Sequence, residues 1–237
     1  MYIEIWSDVV CPWCYIGKRR FEAALAQFAH RDQVTVVWRS FELDPHAPSA
    51  TSVSLNEVLS KKLGVSPERA AAMNAHVTEL AAEEGLDYRL DQAKHGNTFD
   101  AHRLIHFAEK HGLQATAKER LLQAYFTEGR SISDPDALVS IGVEIGLPAD
   151  EVRAMVSSDA CADAVRADER RAQQLGISGV PFFVIDGTYG VSGAQPAATF
   201  LGALEQVWGE SHPLTRVTTG ATDAGMCDDG TCTVDGN

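Results

Sequence analysis

No stretch of the 237 residues approaches the run of about eighteen apolar residues that a membrane-spanning helix needs. Nor is there a basic patch. With 33 acidic residues against 20 basic ones the net charge is -13, which repels nucleic acid and anionic membranes. No charged or apolar leader precedes the first strand pattern at Tyr2, so a soluble, cytoplasmic protein is expected. Cysteine is scarce: Cys11, Cys14, Cys161, Cys227 and Cys232. A secreted disulfide scaffold is shorter and denser in cysteine, so close pairs in a cytoplasmic chain point to redox chemistry or metal binding.

The first pair lies in Cys11-Pro12-Trp13-Cys14, between an alternating strand pattern, Tyr2 to Trp6, and a helical stripe through Cys14, Gly17, Phe21, Leu25 and Phe28. Amides at a helix start lack intrahelical acceptors and the macrodipole is positive there, so a thiolate is stabilised. Lys18, Arg19 and Arg20 are expected to add charge nearby, with Cys11 the accessible sulfur and Cys14 the buried one. Pro12 suits a first helical turn, and Trp13 offers an apolar surface to an unfolded client. A zinc site needs four ligands, and with a helix start after the pair redox use fits better than metal.

A second strand is expected within Gln33 to Leu43, giving a strand-helix-strand unit with parallel pairing. Asp44 to Val53 is Pro-, Ser- and Ala-rich, an exit linker. From Ser54 to about Leu175 no strand pattern occurs. Helices are expected from the Ser54–Glu57 capping box, from Ser66-Pro67 to Gly85, from Asn97 or Thr98 to His111, over Leu121 to Phe126, after Asp134-Pro135 and after Pro148, and from Ala160 to Leu175. About 120 residues of helix far exceed an ordinary connection and mark an insertion. Phe182 to Ile185, Asp186-Gly187, and Tyr189 with Val191 make a hairpin; Pro196 opens a last helix to about Trp208. The rest is a polar tail.

This order resembles the thioredoxin-like fold in its DsbA-like form. Ser7-Asp8-Val9-Val10-Cys11-Pro12-Trp13-Cys14-Tyr15-Ile16-Gly17, with Asn97-Thr98 and Ala101-His102-Arg103-Leu104, is similar to the FrnE group of DsbA-family oxidoreductases. The later pattern is shared with hydroxychromene-carboxylate isomerases and kappa-class glutathione transferases, which usually lack the cysteine pair. The resemblance implies an α/β fold: a thioredoxin-like core in residues 1–50 and 176–208, an inserted all-helical domain in 51–175, and a tail in 209–237. It also implies that Val180-Pro181 is the cis-proline segment that faces the cysteines and pairs with substrate backbone. In the isomerase and transferase relatives the asparagine matching Asn97 lies near the bound thiol compound; a helix cap is the equally economical role.

The expected activity is thiol-disulfide exchange on disulfide-bearing client proteins, with Cys11 attacking and Cys14 resolving. Neither Gly-Pro nor Pro-His separates the cysteines, so a poise between about -270 and about -120 mV is expected, and reduction or isomerisation is favoured in a reducing cytosol. No resident cofactor or metal is expected; glutathione or another cellular thiol is a candidate partner. Cys227 and Cys232 form a C-x4-C around an Asp-Gly turn, either a relay able to reach the first pair, incidental thiols, or a metal clip. Cys161 is expected to pack as a small hydrophobe on a helix with Val165. His102 and His106 share a helix face, but Arg103 stands where a zinc protease needs its glutamate, so a structural or solvent-facing pair is expected. The alternative activity is a glutathione-dependent isomerase or transferase acting on a small aromatic compound. A holdase whose cysteines only sense oxidation is a third.

Overall fold

The structure is a computed structural model that describes residues 1–49 and 53–213; Cys227 and Cys232 lie outside the described residues. The chain enters through β1 (Tyr2–Ser7), α1 (Pro12–Gln27), a 3-10 turn at Arg31–Gln33 and β2 (Thr35–Ser40). Helices α2 (Leu55–Leu63), α3 (Pro67–Glu83), α4 (Phe99–Glu109), α5 (Gln114–Phe126), α6 (Pro135–Glu144), α7 (Ala149–Val156) and α8 (Ala162–Gln174) follow. Strands β3 (Phe182–Ile185) and β4 (Tyr189–Ser192) and helix α9 (Ala197–Ser211) complete it. The sheet order is β2-β1-β3-β4, with β1 parallel to β2 and the other pairs antiparallel.

Local chemistry sets the helix boundaries. Ser54 and Glu57 cap α2 reciprocally, Ser66 accepts from the Arg69 N–H ahead of Pro67, and Asp134 accepts from Asp136 ahead of Pro135. One boundary departs from expectation. Helix α5 begins at Gln114, a full two turns before Leu121, because its inward stripe includes Gln114 and Lys118 as well as Ala117 and Leu121. Polar residues at inward positions hide the apolar period on which a sequence reading depends.

Alternation in β1 divides the sheet. Ile3 and Ile5, beside Ile185 and Phe183, face α1 and α9, where Phe21, Phe183 and Phe200 pack with ring centroids 4.5 to 5.7 Å apart. Each such buried ring contributes roughly 1.5–3 kcal/mol. Glu4 and Trp6 face the opposite way. Trp6 donates through Nε1 to the Asp168 carbonyl of α8 at 3.1 Å, and Glu4 pairs with Arg39 at 2.8 Å and with Arg171 of α8 at 2.9 Å. Thus α8, the last helix of the long run, covers the sheet. The main apolar core passes unbroken from Ile3 and Ile5 into Leu104, Leu121 and Ile141 of the helical layer. At the edge of β2 the Gln114 side chain accepts from the Trp38 N–H at 2.9 Å and donates to its carbonyl at 3.1 Å, so that a helix closes the open strand.

Candidate active site

Strand β1 delivers the chain through Asp8, Val9 and Val10 to Cys11, which caps α1 in extended conformation, with Pro12 at the first helical position. The Cys14 N–H donates to the Cys11 carbonyl at 3.0 Å, which folds the motif into one turn. Trp13 projects outward, 41% exposed. Cys11 and Cys14 are free thiols. The expected difference in access is nearly absent: Cys11 is 3% exposed and Cys14 1%. The Val180 carbonyl covers Cys11, whose Sγ lies 3.6 Å away.

Val180-Pro181 is a cis peptide, and Pro181 accepts from the Gly193 N–H at 2.8 Å. This segment reaches the motif because residue 17 has no side chain. A Cβ there would lie 2.9 Å from Pro181 Cγ and 3.3 Å from Ala194 Cβ. Gly17→Ala is expected to cost about 1–3 kcal/mol by overpacking, of which alanine's helix propensity returns about 1 kcal/mol. Thermal unfolding checks the net loss.

The basic residues after the motif do not serve the sulfurs. Lys18 pairs with Glu22 at 2.5 Å and Glu119 at 2.6 Å, Arg19 with the same two carboxylates, and Arg20 with Glu84 at 2.6 Å. Within a turn the helix has turned them toward α5 and α3. Lys118 of α5 supplies positive charge instead: it is 1% exposed, and its Nζ donates to the Ser7 carbonyl at 3.1 Å. Burial pulls its ammonium down to about 8 against the opposing pull of Cys14, Asp8 and Cys11.

The two thiols are shifted in opposite directions. Burial alone would raise Cys14, but the Cys11 thiol donating to it, the Lys118 charge, the Ser7 hydroxyl and the Asp8 backbone together hold it below its ordinary value. Cys11 is raised well above its own by that same contact with Cys14, by burial and by the nearby Asp8 carboxylate. The environment therefore favours the thiolate on the inner sulfur over the outer one, whereas the helix-start argument favours Cys11.

Beneath the motif Asp8 is fully buried. Its Oδ1 accepts from the Val9 N–H at 2.7 Å and lies 3.2 Å from His102 Nε2, while Oδ2 accepts from the Leu43 N–H at 2.8 Å. Burial acts to raise this carboxyl, yet the His102 hydrogen bond and charge, Leu43 and Lys118 outweigh it and keep it below its ordinary value. His106 lies 2.9 Å from Asp168 and 3.1 Å from the Ser40 hydroxyl. The two histidines are thus buried and directed at different carboxylates. Tyr88 donates to the Pro12 carbonyl at 2.7 Å and stacks with Tyr15 and Phe126, bracing the motif from the helical layer.

Asn97 is engaged within the fold: Oδ1 accepts from the Phe99 N–H at 2.9 Å, capping α4, and Nδ2 donates to the Pro45 carbonyl at 3.2 Å. Cys161 stands ahead of α8 rather than within it, half-buried with φ +65°. A chamber of about 130 Å³ opens beside Pro12, lined by Val10, Leu43, Leu55, Leu59 and Tyr125; the Thr98 hydroxyl at its wall is buried without a hydrogen-bond partner among the described residues.

Sequence reasoning missed Lys118, Asp8 and Tyr88. The available signals were a lysine on the stripe shared by Gln114, Leu121 and Tyr125, and the place of Asp8 three residues before Cys11.

These features have counterparts among known proteins. A family model for the DsbA-like thioredoxin domain matches residues 2–205. The crystal structure of a probable DsbA oxidoreductase from Streptomyces coelicolor is 48% identical, with both chains covered fully and a TM-score of 0.86. A 2-hydroxychromene-2-carboxylate isomerase is 13% identical over 89% of this chain and 98% of its own, with a TM-score of 0.69. The cytosolic disulfide reductase DsbM from Pseudomonas aeruginosa is 20% identical over 88% and 98%, with a TM-score of 0.61. At such identities the last two share the fold alone. With four-fifths or more of its length matched by the family model, the chain belongs to the DsbA-like thioredoxin-domain family.

Proposed function

We propose that the protein is a cytoplasmic thiol-disulfide oxidoreductase that reduces or isomerises disulfides of client proteins through Cys11 and Cys14. The observation that carries this reading is the buried pair itself: two free thiols at the start of α1, with Cys11 Sγ 3.6 Å from the Val180 carbonyl. As a client disulfide arrives, Cys11 passes its proton to Cys14 and attacks. A Cys11–client bond forms, and the client's second sulfur leaves as a thiolate. Cys14, deprotonated by that thiolate, then attacks Cys11 and releases the first client sulfur. The client gains two electrons and the pair closes as a disulfide. Trp13 gives apolar contact to the client, and Val180 with Pro181 aligns its backbone.

A thiol donor must reopen the pair. Glutathione or a similar cellular thiol suits this step, and Cys227 with Cys232 would relay electrons or protect the first pair. The scarcity of cysteine in a chain of this length accords with a reducing compartment. The rival reading, a glutathione-dependent isomerase or transferase of a small aromatic compound, draws on the apolar chamber beside Pro12.

Cys14→Ser separates the two, because it permits the first attack and blocks resolution. Trapped adducts are mapped by mass spectrometry after expression in cells. Client proteins joined to Cys11 are the expected result, and attachment of Cys227 would identify the relay. Recovery of glutathione alone overturns the client-protein reading.

A further inference from the structure

Lys118 is a charged group enclosed without an ordinary ion pair. Its ammonium is buried and donates to one neutral acceptor, the Ser7 carbonyl at 3.1 Å, with no carboxylate of the described residues at ion-pairing distance. Burying an ammonium in this way is costly unless an anion accompanies it. The groups that face it are Cys14, Cys11 and Lys18 from α1, Asp8 from the loop after β1 with His102 of α4 behind it, and the Trp38 ring of β2, whose centroid lies 5.7 Å from Nζ. Lys18 is committed to Glu22 and Glu119. Asp8 already accepts from Val9 and Leu43 and contacts His102. The sulfur of Cys14 is the anionic site left over. Ser7 ties the two together, since its carbonyl holds Lys118 while its hydroxyl, buried without another partner among the described residues, favours the Cys14 thiolate.

We infer that Lys118 is the counter-ion of the reduced Cys11–Cys14 pair, a positioning residue on α5 that keeps one negative charge on the dithiol and thereby makes the pair a stronger oxidant. The inference rests on the dithiol reading above and concerns the poise of the pair, not its physiological direction. Before reaction the pair carries one proton and one negative charge opposite the ammonium. When the pair closes, two electrons pass to the client disulfide, the pair's proton goes to one client sulfur, and the negative charge leaves the site with the other. Lys118 then keeps the Ser7 carbonyl and the field of Asp8, but its ammonium has lost the anion beside it. Stabilising the thiolate favours the reduced state, whereas an unaccompanied ammonium penalises the oxidised one. Both effects oppose closure of the disulfide.

The test uses the full chain carrying Cys227→Ser and Cys232→Ser, so that the first pair is measured alone, with and without Lys118→Met. Each protein is equilibrated with mixtures of reduced and oxidised glutathione, and the fraction closed is read by alkylation and mass. The pH profile of thiolate absorbance is recorded in parallel. Lys118→Met is expected to favour the disulfide about tenfold, equivalent to a potential about 30 mV more negative, and to move thiolate formation to higher pH. Lys118→Gln, which keeps a hydrogen-bond donor without the charge, is expected to shift both in the same sense and replaces Lys118→Met if the latter fails to fold. Loss of packing alone would lower the unfolding temperature and leave the thiolate profile in place. An unchanged equilibrium and unchanged pH profile in a folded variant overturn the assignment. Absence of any Cys11–Cys14 disulfide in the parent at every glutathione ratio overturns the dithiol reading instead.

Discussion

Cys11→Ser is expected to slow reduction of insulin disulfides by a thousandfold or more, with the chain still folded. The size follows from the chemistry. A serine hydroxyl is scarcely ionised near neutral pH and cannot form the mixed disulfide, so the covalent route is removed rather than weakened; loss of a nucleophile elsewhere costs up to about a millionfold. Intact folding follows from position. Cys11 caps α1 in extended conformation without a side-chain cap of its own, and serine is among the better residues there, contributing about 0.5–2 kcal/mol relative to alanine. Thermal unfolding is therefore expected to show a stable variant, which separates lost chemistry from lost structure. Retention of catalysis on the true substrate by this variant would transfer the chemistry to an external thiol and establish the glutathione-dependent alternative.

The scaffold was legible because its elements carry simple periods. Alternation predicts β1, the capping box and Pro67 predict α2 and α3, and the Asp186-Gly187 turn, with φ of +47° and +68°, predicts the β3–β4 hairpin. The pairing of Val180-Pro181 with Cys11 came from family resemblance, since nothing in its local sequence places it beside residue 11. The charged floor of the site was not legible. Lys118, Asp8 and His102 are ionisable residues at inward positions, and reading by hydrophobic pattern assigns such residues to the surface. The same blindness delayed the expected start of α5. The opposite error concerned Lys18, Arg19 and Arg20, which are near Cys14 in sequence but turned by the helix toward Glu22, Glu119 and Glu84. Chain separation is a poor guide to electrostatic distance once a helix has made one turn, and here the field at the sulfurs comes from a helix about a hundred residues away.

Asp8→Asn is the substitution that tests this buried floor most severely. Asp8 presents two oxygens to two backbone N–H groups and to His102. Asparagine offers a single oxygen and turns an NH2 group toward one of those donors, leaving a buried clash of like partners. Breaking one side of such a network costs about 2–4 kcal/mol, and chemical denaturation at pH 7 is expected to show it. The sign of the pH dependence is fixed by the lowered carboxyl. Stability contributed by ionised Asp8 is fully present above its ordinary 3.8 and is lost as pH falls below that through the folded value. The gap between parent and variant should therefore close in acid. The redox effect runs the other way from that of Lys118→Met. The Asp8 carboxylate helps to raise Cys11 and supports the Lys118 ammonium. Neutralising it relieves the repulsion felt by the pair's negative charge, while Lys118, losing that support, returns part of the gain. The glutathione equilibrium should move a few-fold toward the dithiol. Two substitutions that both loosen the core yet displace the equilibrium in opposite directions would identify charge, rather than packing, as what sets the chemistry of Cys11 and Cys14.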